Sequence, residues 1–252
     1  MADQMVTISS EGKDFPAYVA VPRQGVLGGV IVIHEVWSLD EHTKDVARRL
    51  ATEGYVTLAP NLLSGTELDG GLDPQLLQRA QNPETRDEAQ KELRAKMAPL
   101  QSPEFATTTV NKLKSCFEWL IGKPEVQGHV AVIGFCFGGT YAFALAVHEP
   151  RLKAAVPFYG HADQSIEELR KINCPILAFY GEEDTGLTEK LPELIANMKA
   201  ASRDFQYHVY PNTGHAFFND TNPNRYNEAA AKDSWQKTLA FLSKNLQNSS
   251  QS

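Results

Sequence analysis

Cys136 sits in the hexapeptide Gly134-Phe135-Cys136-Phe137-Gly138-Gly139. The hexapeptide joins a strand-like run, His129-Val130-Ala131-Val132-Ile133, to a helix-like run, Thr140–Val147. This is the Gly-x-nucleophile-x-Gly spacing of a nucleophile elbow, with cysteine in place of serine. Glycines on either side have no Cβ to clash, so a sharp strand-to-helix turn can thrust the middle residue outward. The turn leaves Cys136 at a helix N-terminus, where the dipole favours a thiolate and free N–H groups can hold an oxyanion. The plain alternative is a core cysteine bracketed by glycines, since free Cys is among the most buried residue types.

Two downstream segments favour chemistry. Gly181-Glu182-Glu183-Asp184 and then Asn212-Thr213-Gly214-His215 each follow a strand-like run. Nucleophile, acid, histidine is the chain order of an α/β-hydrolase triad. Of the seven histidines, His215 lies in the late loop where the third member belongs, while His161 follows a strand with no role fixed by position. His42, in what reads as an exposed first helical turn, with His129, His148 and His208, reads as structural or solvated. Three carboxylates compete to orient His215; Asp184 is preferred over Glu182 and Glu183 because short Asp is the commoner orienter and it lies deepest in the loop. His34-Glu35-Val36 ends an earlier strand. The Val36 and Phe137 amides would there supply the oxyanion donors. Glu35 would bring a negative charge near the thiol, disfavouring the thiolate and leaving the resting thiol protonated.

Positioning these residues requires alternating strands and helices. Candidate strands are Val6–Ser9, Ala17–Val21, Gly29–His34, Tyr55–Ala59, His129–Phe135, Ala154–Tyr159, Ile176–Tyr180 and Gln206–Tyr210. From Gly29 onward many are apolar on both parities, as in strands covered on both faces; the first two form an edge hairpin. Ser38-Leu39-Asp40-Glu41 reads as a capping box, and Ser102-Pro103 as an N-cap with Pro in the first turn. Helices follow over Glu189–Ala201 and Tyr226–Leu246. The pattern implies one α/β domain over residues 1–246: a mostly parallel sheet of about eight strands with helices on both faces. Asn61 to about Gln101, with a charged helical pattern over Thr85–Met97, reads as an excursion over the site, and 247–252 as a polar tail.

Composition sets limits on function. Hydrophobic residues are 42% and charged residues 22% of 252, ordinary for a soluble globular protein. A formal net charge of −7 without a basic cluster speaks against nucleic acid as a partner. Cys116, Cys136 and Cys174 include no Cys-x-x-Cys pair, against a disulfide framework or structural zinc. Met1–Ser10 has no signal-peptide pattern and no run is long enough to span a membrane, so the expected setting is the cytoplasm.

Together His34-Glu35, the Gly134–Gly139 elbow, Asp184 and Gly214-His215-Ala216-Phe217-Phe218 resemble the dienelactone hydrolase family over nearly the whole chain. The resemblance implies an α/β-hydrolase sheet, a Cys136–Asp184–His215 triad, no cofactor or metal, and a monomer or weak homodimer. It also implies that Glu35 contacts the thiol at rest and becomes its base once substrate displaces it. The family's best-known members grip a substrate carboxylate with arginines, one of them four residues after the histidine. Here that position is Asn219; Arg79, Arg86 and Arg94 of the excursion are unranked candidates for the other. The expected function is hydrolysis of activated esters or lactones of small molecules. Thiolate leaves a tetrahedral intermediate more readily than a simple alkoxide does, so only substrates with good leaving groups compete. A broader aryl-ester or thioester hydrolase, a redox sensor at Cys136 and a non-catalytic hydrolase-like protein are the alternatives.

Overall fold

The computed structural model describes residues 2–246, so the tail expected over 247–252 lies outside the described residues. Eight strands form one sheet: β1 (Ala2–Ser10), β2 (Lys13–Val21), β3 (Gly28–Ile33), β4 (Tyr55–Pro60), β5 (Val130–Phe135), β6 (Ala154–Phe158), β7 (Ile176–Gly181) and β8 (Phe205–Tyr210). Their order is β1-β2-β4-β3-β5-β6-β7-β8. β1 and β2 pair antiparallel, as do β2 and β4; all other pairings are parallel. This is the expected α/β-hydrolase architecture, and the edge hairpin is there. Glu11 and Gly12, both at positive φ, make its two-residue turn, so its strands run longer than the apolar pattern suggested.

The helices are α1 (Glu41–Thr52), α2 (Pro74–Gln81), α3 (Arg86–Met97), α4 (Pro103–Ile121), α5 (Phe137–His148), α6 (Ile166–Leu169), α7 (Thr185–Thr188), α8 (Leu191–Ala200) and α9 (Glu228–Leu246). Side chains alternate across the sheet. In β3, Ile31 and Ile33 join the core under α4, α5 and α8, while Val30 and Val32 join the core under α1 and α9. Both faces are therefore apolar, which is why the central strands lack a polar parity.

The strand order reverses between β3 and β5. From β3 the chain crosses through α1 to β4 on one side, then returns through α4 to β5 on the other. A crevice opens at the carboxyl ends of strands where such an order reverses, and ligands bind there.

Two local readings are corrected. Asp40, not Ser38, caps α1: its Oδ1 accepts the Thr43 N–H at 2.9 Å. Ser38 instead adopts φ 68° and donates its hydroxyl to Asn61 Oδ1 at 2.9 Å. His42 is buried, not exposed, because the first turn of α1 rests edge-on against Phe135 and Phe218. The Ser102 cap of α4 is as expected, accepting the Phe105 N–H at 3.1 Å. Among the described residues no helix is long and apolar enough to cross a membrane.

Candidate active site

All the residues singled out for chemistry, except the excursion arginines, lie at or just beyond the carboxyl ends of β3, β5, β7 and β8. Cys136 follows β5 with φ 54° and ψ −111°, a conformation L-residues rarely adopt, and opens α5. The surrounding packing enforces this turn. A Cβ on Gly134 would fall on the Gly138 carbonyl, and one on Gly138 would meet the Ile33 and His34 carbonyls. These glycines are needed for close backbone approach, since neither has a positive φ.

Asp184 follows β7 at the start of α7, and His215 follows β8. The two loops are joined by Glu183 N–H donating to the Thr213 carbonyl at 2.9 Å. His215 Nδ1 lies 2.5 Å from Asp184 Oδ2. A carboxylate only accepts, so Nδ1 carries the proton. The ring's other nitrogen is left free of Asp184, and Cys136 lines the same cavity as the imidazole. Burial opposes the charge on His215, but the bond to Asp184, with the neighbouring Cys136 sulfur, outweighs it and pushes its pKa up to about 10. Glu182 and Glu183 are exposed, and Glu182 accepts from the Asn212 N–H instead.

Val36 and Phe137 flank Cys136 in the wall of one cavity. Among the described residues neither amide N–H has a protein acceptor. Two unbonded donors beside the sulfur are what a developing oxyanion requires.

Glu35 is held by two partners that its local sequence does not reveal. The residue is 3% exposed and each carboxylate oxygen accepts a bond: Tyr159 donates its hydroxyl to Oε1 at 3.2 Å, and Asn219 Nδ2 donates to Oε2 at 3.1 Å. Among the described residues the Cys136 thiol is not one of its hydrogen-bond partners. Asn219 is itself buried, its Oδ1 accepting from Thr221 N–H at 3.1 Å and Oγ1 at 2.6 Å. It faces the acid, not the cavity.

Tyr159 is a residue the sequence reading missed. It follows β6 directly at φ 37°, is 1% exposed, and its ring centroid lies 5.0 Å from that of His215. Burial, then the negative charge of Glu35 and Cys136, holds its hydroxyl well above the usual tyrosine range, so it stays a donor. The available signal was a polar aromatic at a strand's carboxyl end beside Gly160-His161. His161 turns away to Asp163, 3.2 Å distant.

The cavity has a volume of about 720 Å³. Met97, Leu100, Val110, Phe137, Tyr141 and Leu187 give it an apolar wall; Lys114 and His215 also line it, as does His148, whose pKa burial lowers. No arginine lines it among the described residues. Arg79 is paired with Glu92 at 3.1 Å, and Arg86 and Arg94 are exposed on α3. Those three candidates for a substrate grip are therefore not at the site. Leu63, Leu68 and Leu72 of the excursion pack with Val36, Trp37 and Phe137, and its far end contributes Met97 and Leu100 to the cavity. Among the described residues no cluster of metal-ligating side chains is present.

A model of the dienelactone hydrolase family matches residues 15–246. A protein of Saccharolobus solfataricus named "Putative carboxymethylenebutenolidase" is 34% identical over 95% of this chain and 98% of its own. One of Salmonella typhimurium with the same name is 33% identical over 94% of this chain and 86% of its own. The crystal structure of a "Putative Dienelactone Hydrolase" from Klebsiella pneumoniae superposes with a TM-score of 0.78 at 29% identity, covering 97% of this chain and 100% of that one.

Proposed function

We infer, because the chain belongs to the dienelactone hydrolase family, that it is a carboxylic ester hydrolase acting on small-molecule esters or lactones. The finer reading is a thiol hydrolase that works through an acyl-enzyme. Its main support is the Asp184–His215 hydrogen bond beside Cys136 at the wall of a largely apolar cavity, with two unbonded amides on the same wall.

The proposed course is as follows. Cys136 Sγ, as thiolate, adds to the carbonyl carbon and the π pair moves onto the oxygen, which the Val36 and Phe137 N–H groups receive. The intermediate collapses by breaking the C–O bond to the leaving group, and that oxygen takes the proton from the His215 imidazolium. Water then adds to the acyl carbon while His215 accepts its proton, and Cys136 leaves as thiolate. Asp184 keeps the imidazole oriented throughout. Glu35 is the second acid–base group, its carboxylate positioned by Tyr159 and Asn219.

The cavity favours an uncharged, bulky substrate. Its apolar wall rewards an aryl or lactone ring by area, and without an arginine it offers no bidentate grip for a carboxylate near the sulfur. A panel of aryl esters, neutral lactones and carboxylate-bearing lactones, run on wild type and Cys136→Ala, tests both parts. Aryl esters and neutral lactones should exceed the carboxylate lactones by ~10-fold or more in kcat/KM. Full activity in Cys136→Ala refutes the nucleophile; a preference for the carboxylate lactone refutes the substrate class.

The proposed setting is the cytoplasm, as a monomer or weak homodimer. All three cysteines are free, which suits a reducing compartment. Cell fractionation and sedimentation would overturn this by finding an exported protein or a tight oligomer.

A further inference from the structure

His34 is fully buried just after β3, next to both candidate oxyanion donors. Its Nε2 accepts the Leu62 N–H at 3.0 Å. A ring nitrogen that accepts carries no proton, so the neutral imidazole has its hydrogen on Nδ1. That Nδ1–H donates to the Glu35 carbonyl at 2.5 Å. Burial pushes the ring's pKa down to about 4, so it stays neutral around pH 7 and keeps this tautomer.

The Glu35–Val36 peptide is trans, so its C=O and N–H point in opposite directions. Holding the Glu35 carbonyl therefore aims the Val36 N–H away from His34. The same ring stacks on Phe137, with centroids 5.7 Å apart and planes at 9°. Phe137 carries the second amide. One side chain thus constrains both donors, while the Gly138 approach to the Ile33 and His34 carbonyls sets how near they come.

We propose that His34 is a positioning residue for the oxyanion site: its two hydrogen bonds fix the direction of the Val36 N–H, and its stack on Phe137 fixes the distance to the second N–H. The proposal rests on the acyl-enzyme reading of Cys136. Leu62 lies at the root of the segment that covers the cavity, so the same ring also couples that cover to the oxyanion site.

Three variants and two rates test it. His34→Phe keeps an aromatic ring on Phe137 and loses both hydrogen bonds. His34→Gln keeps a donor and an acceptor, and His34→Asn keeps them on a shorter stem. The first rate is the burst of acylation by an aryl ester. The second is alkylation of Cys136 by iodoacetamide, a displacement that generates no oxyanion and so reports the thiol and the fold alone. His34→Phe should acylate ~10²-fold more slowly while KM and the alkylation rate stay within ~2-fold, and His34→Gln should recover a large part of the loss.

Wild-type acylation in His34→Phe, or equal loss of both rates, overturns the role. If His34→Phe does not fold, the same two rates in His34→Asn decide: slower acylation with unchanged alkylation supports it, and any other pairing overturns it. A wild type that acylates but is indifferent to His34 sinks this proposal alone. A wild type that forms no acyl-Cys136 with any ester sinks the underlying reading as well.

Discussion

Asn219 Nδ2 donates to Glu35 Oε2 at 3.1 Å, joining residues 184 positions apart in the chain. Through this bond the Asn219 amide, itself anchored by Thr221, reaches the buried carboxylate. It fixes the direction of one Glu35 oxygen. Asn219→Leu removes the donor at similar volume and frees one oxygen to turn toward Cys136. A nearby negative charge disfavours the thiolate. Iodoacetamide labelling at pH 7 should therefore slow in Asn219→Leu and recover in the double variant with Glu35→Gln. Superimposable labelling curves against pH for all three proteins would mean that Asn219 does not govern the thiol.

Selective labelling follows from burial. Cys116 is fully buried and desolvation holds its thiol far above the usual range, while burial pushes Cys174 up to about 12. Cys136 is partly exposed at the cavity wall. The native protein should take up one equivalent of iodoacetamide, and Cys136→Ala none. Peptide mass spectrometry locates the adduct; label on Cys116 or Cys174 in folded protein contradicts this picture.

The sheet was legible because each strand from β3 to β7 is a short apolar run closed by a turn signal, and α4 because Ser102, Pro103 and Gly122 mark its ends. Cys136, Asp184 and His215 were legible from order and spacing. Contacts across distant loops were not. That Tyr159 and Asn219 meet Glu35 was not legible, because nothing local to residue 35 shows it. His42 looked solvated because the first turn of a helix usually is, and the Phe135 and Phe218 rings that bury it come from remote segments. Ser38 satisfied the spacing of a capping box, yet its left-handed backbone sends its hydroxyl to Asn61. The excursion arginines carried no positional signal, and the fold leaves them on the outer surface of α3 or paired with Glu92.

The elbow should tolerate no side chain at Gly138. A Cβ there meets two backbone carbonyls of the β3 end, one of them His34 O at 2.7 Å, and backbone cannot swing aside. Gly138→Ala should cost about 3 kcal/mol or more and reduce acylation. Gly186, with no atom within 4 Å of its Cβ position and no positive φ, is the matched control and should change stability little as Gly186→Ala. Urea denaturation of both variants checks this; equal midpoints would show that the β3–α5 approach is not tight.

His215 links stability to pH. Its folded pKa, about 10, lies above the unfolded value of about 6.5. The raised value arises against burial, through the bond to Asp184 and the neighbouring Cys136. Below about pH 6.5 the ring is protonated in both states and the stabilisation is complete. Between about 6.5 and 10 the unfolded ring has lost its proton while the folded one keeps it, so stability falls as pH rises through this window. His215→Gln cannot hold that proton. The wild-type advantage in unfolding free energy over His215→Gln should be largest near pH 6 and shrink steadily toward pH 10. Asp184→Asn should flatten the same slope, because the main bond that raises the pKa is gone. Denaturant midpoints measured at intervals of pH for the three proteins decide the matter: an advantage that is constant or grows with pH would show that His215 does not carry a retained proton in the folded enzyme.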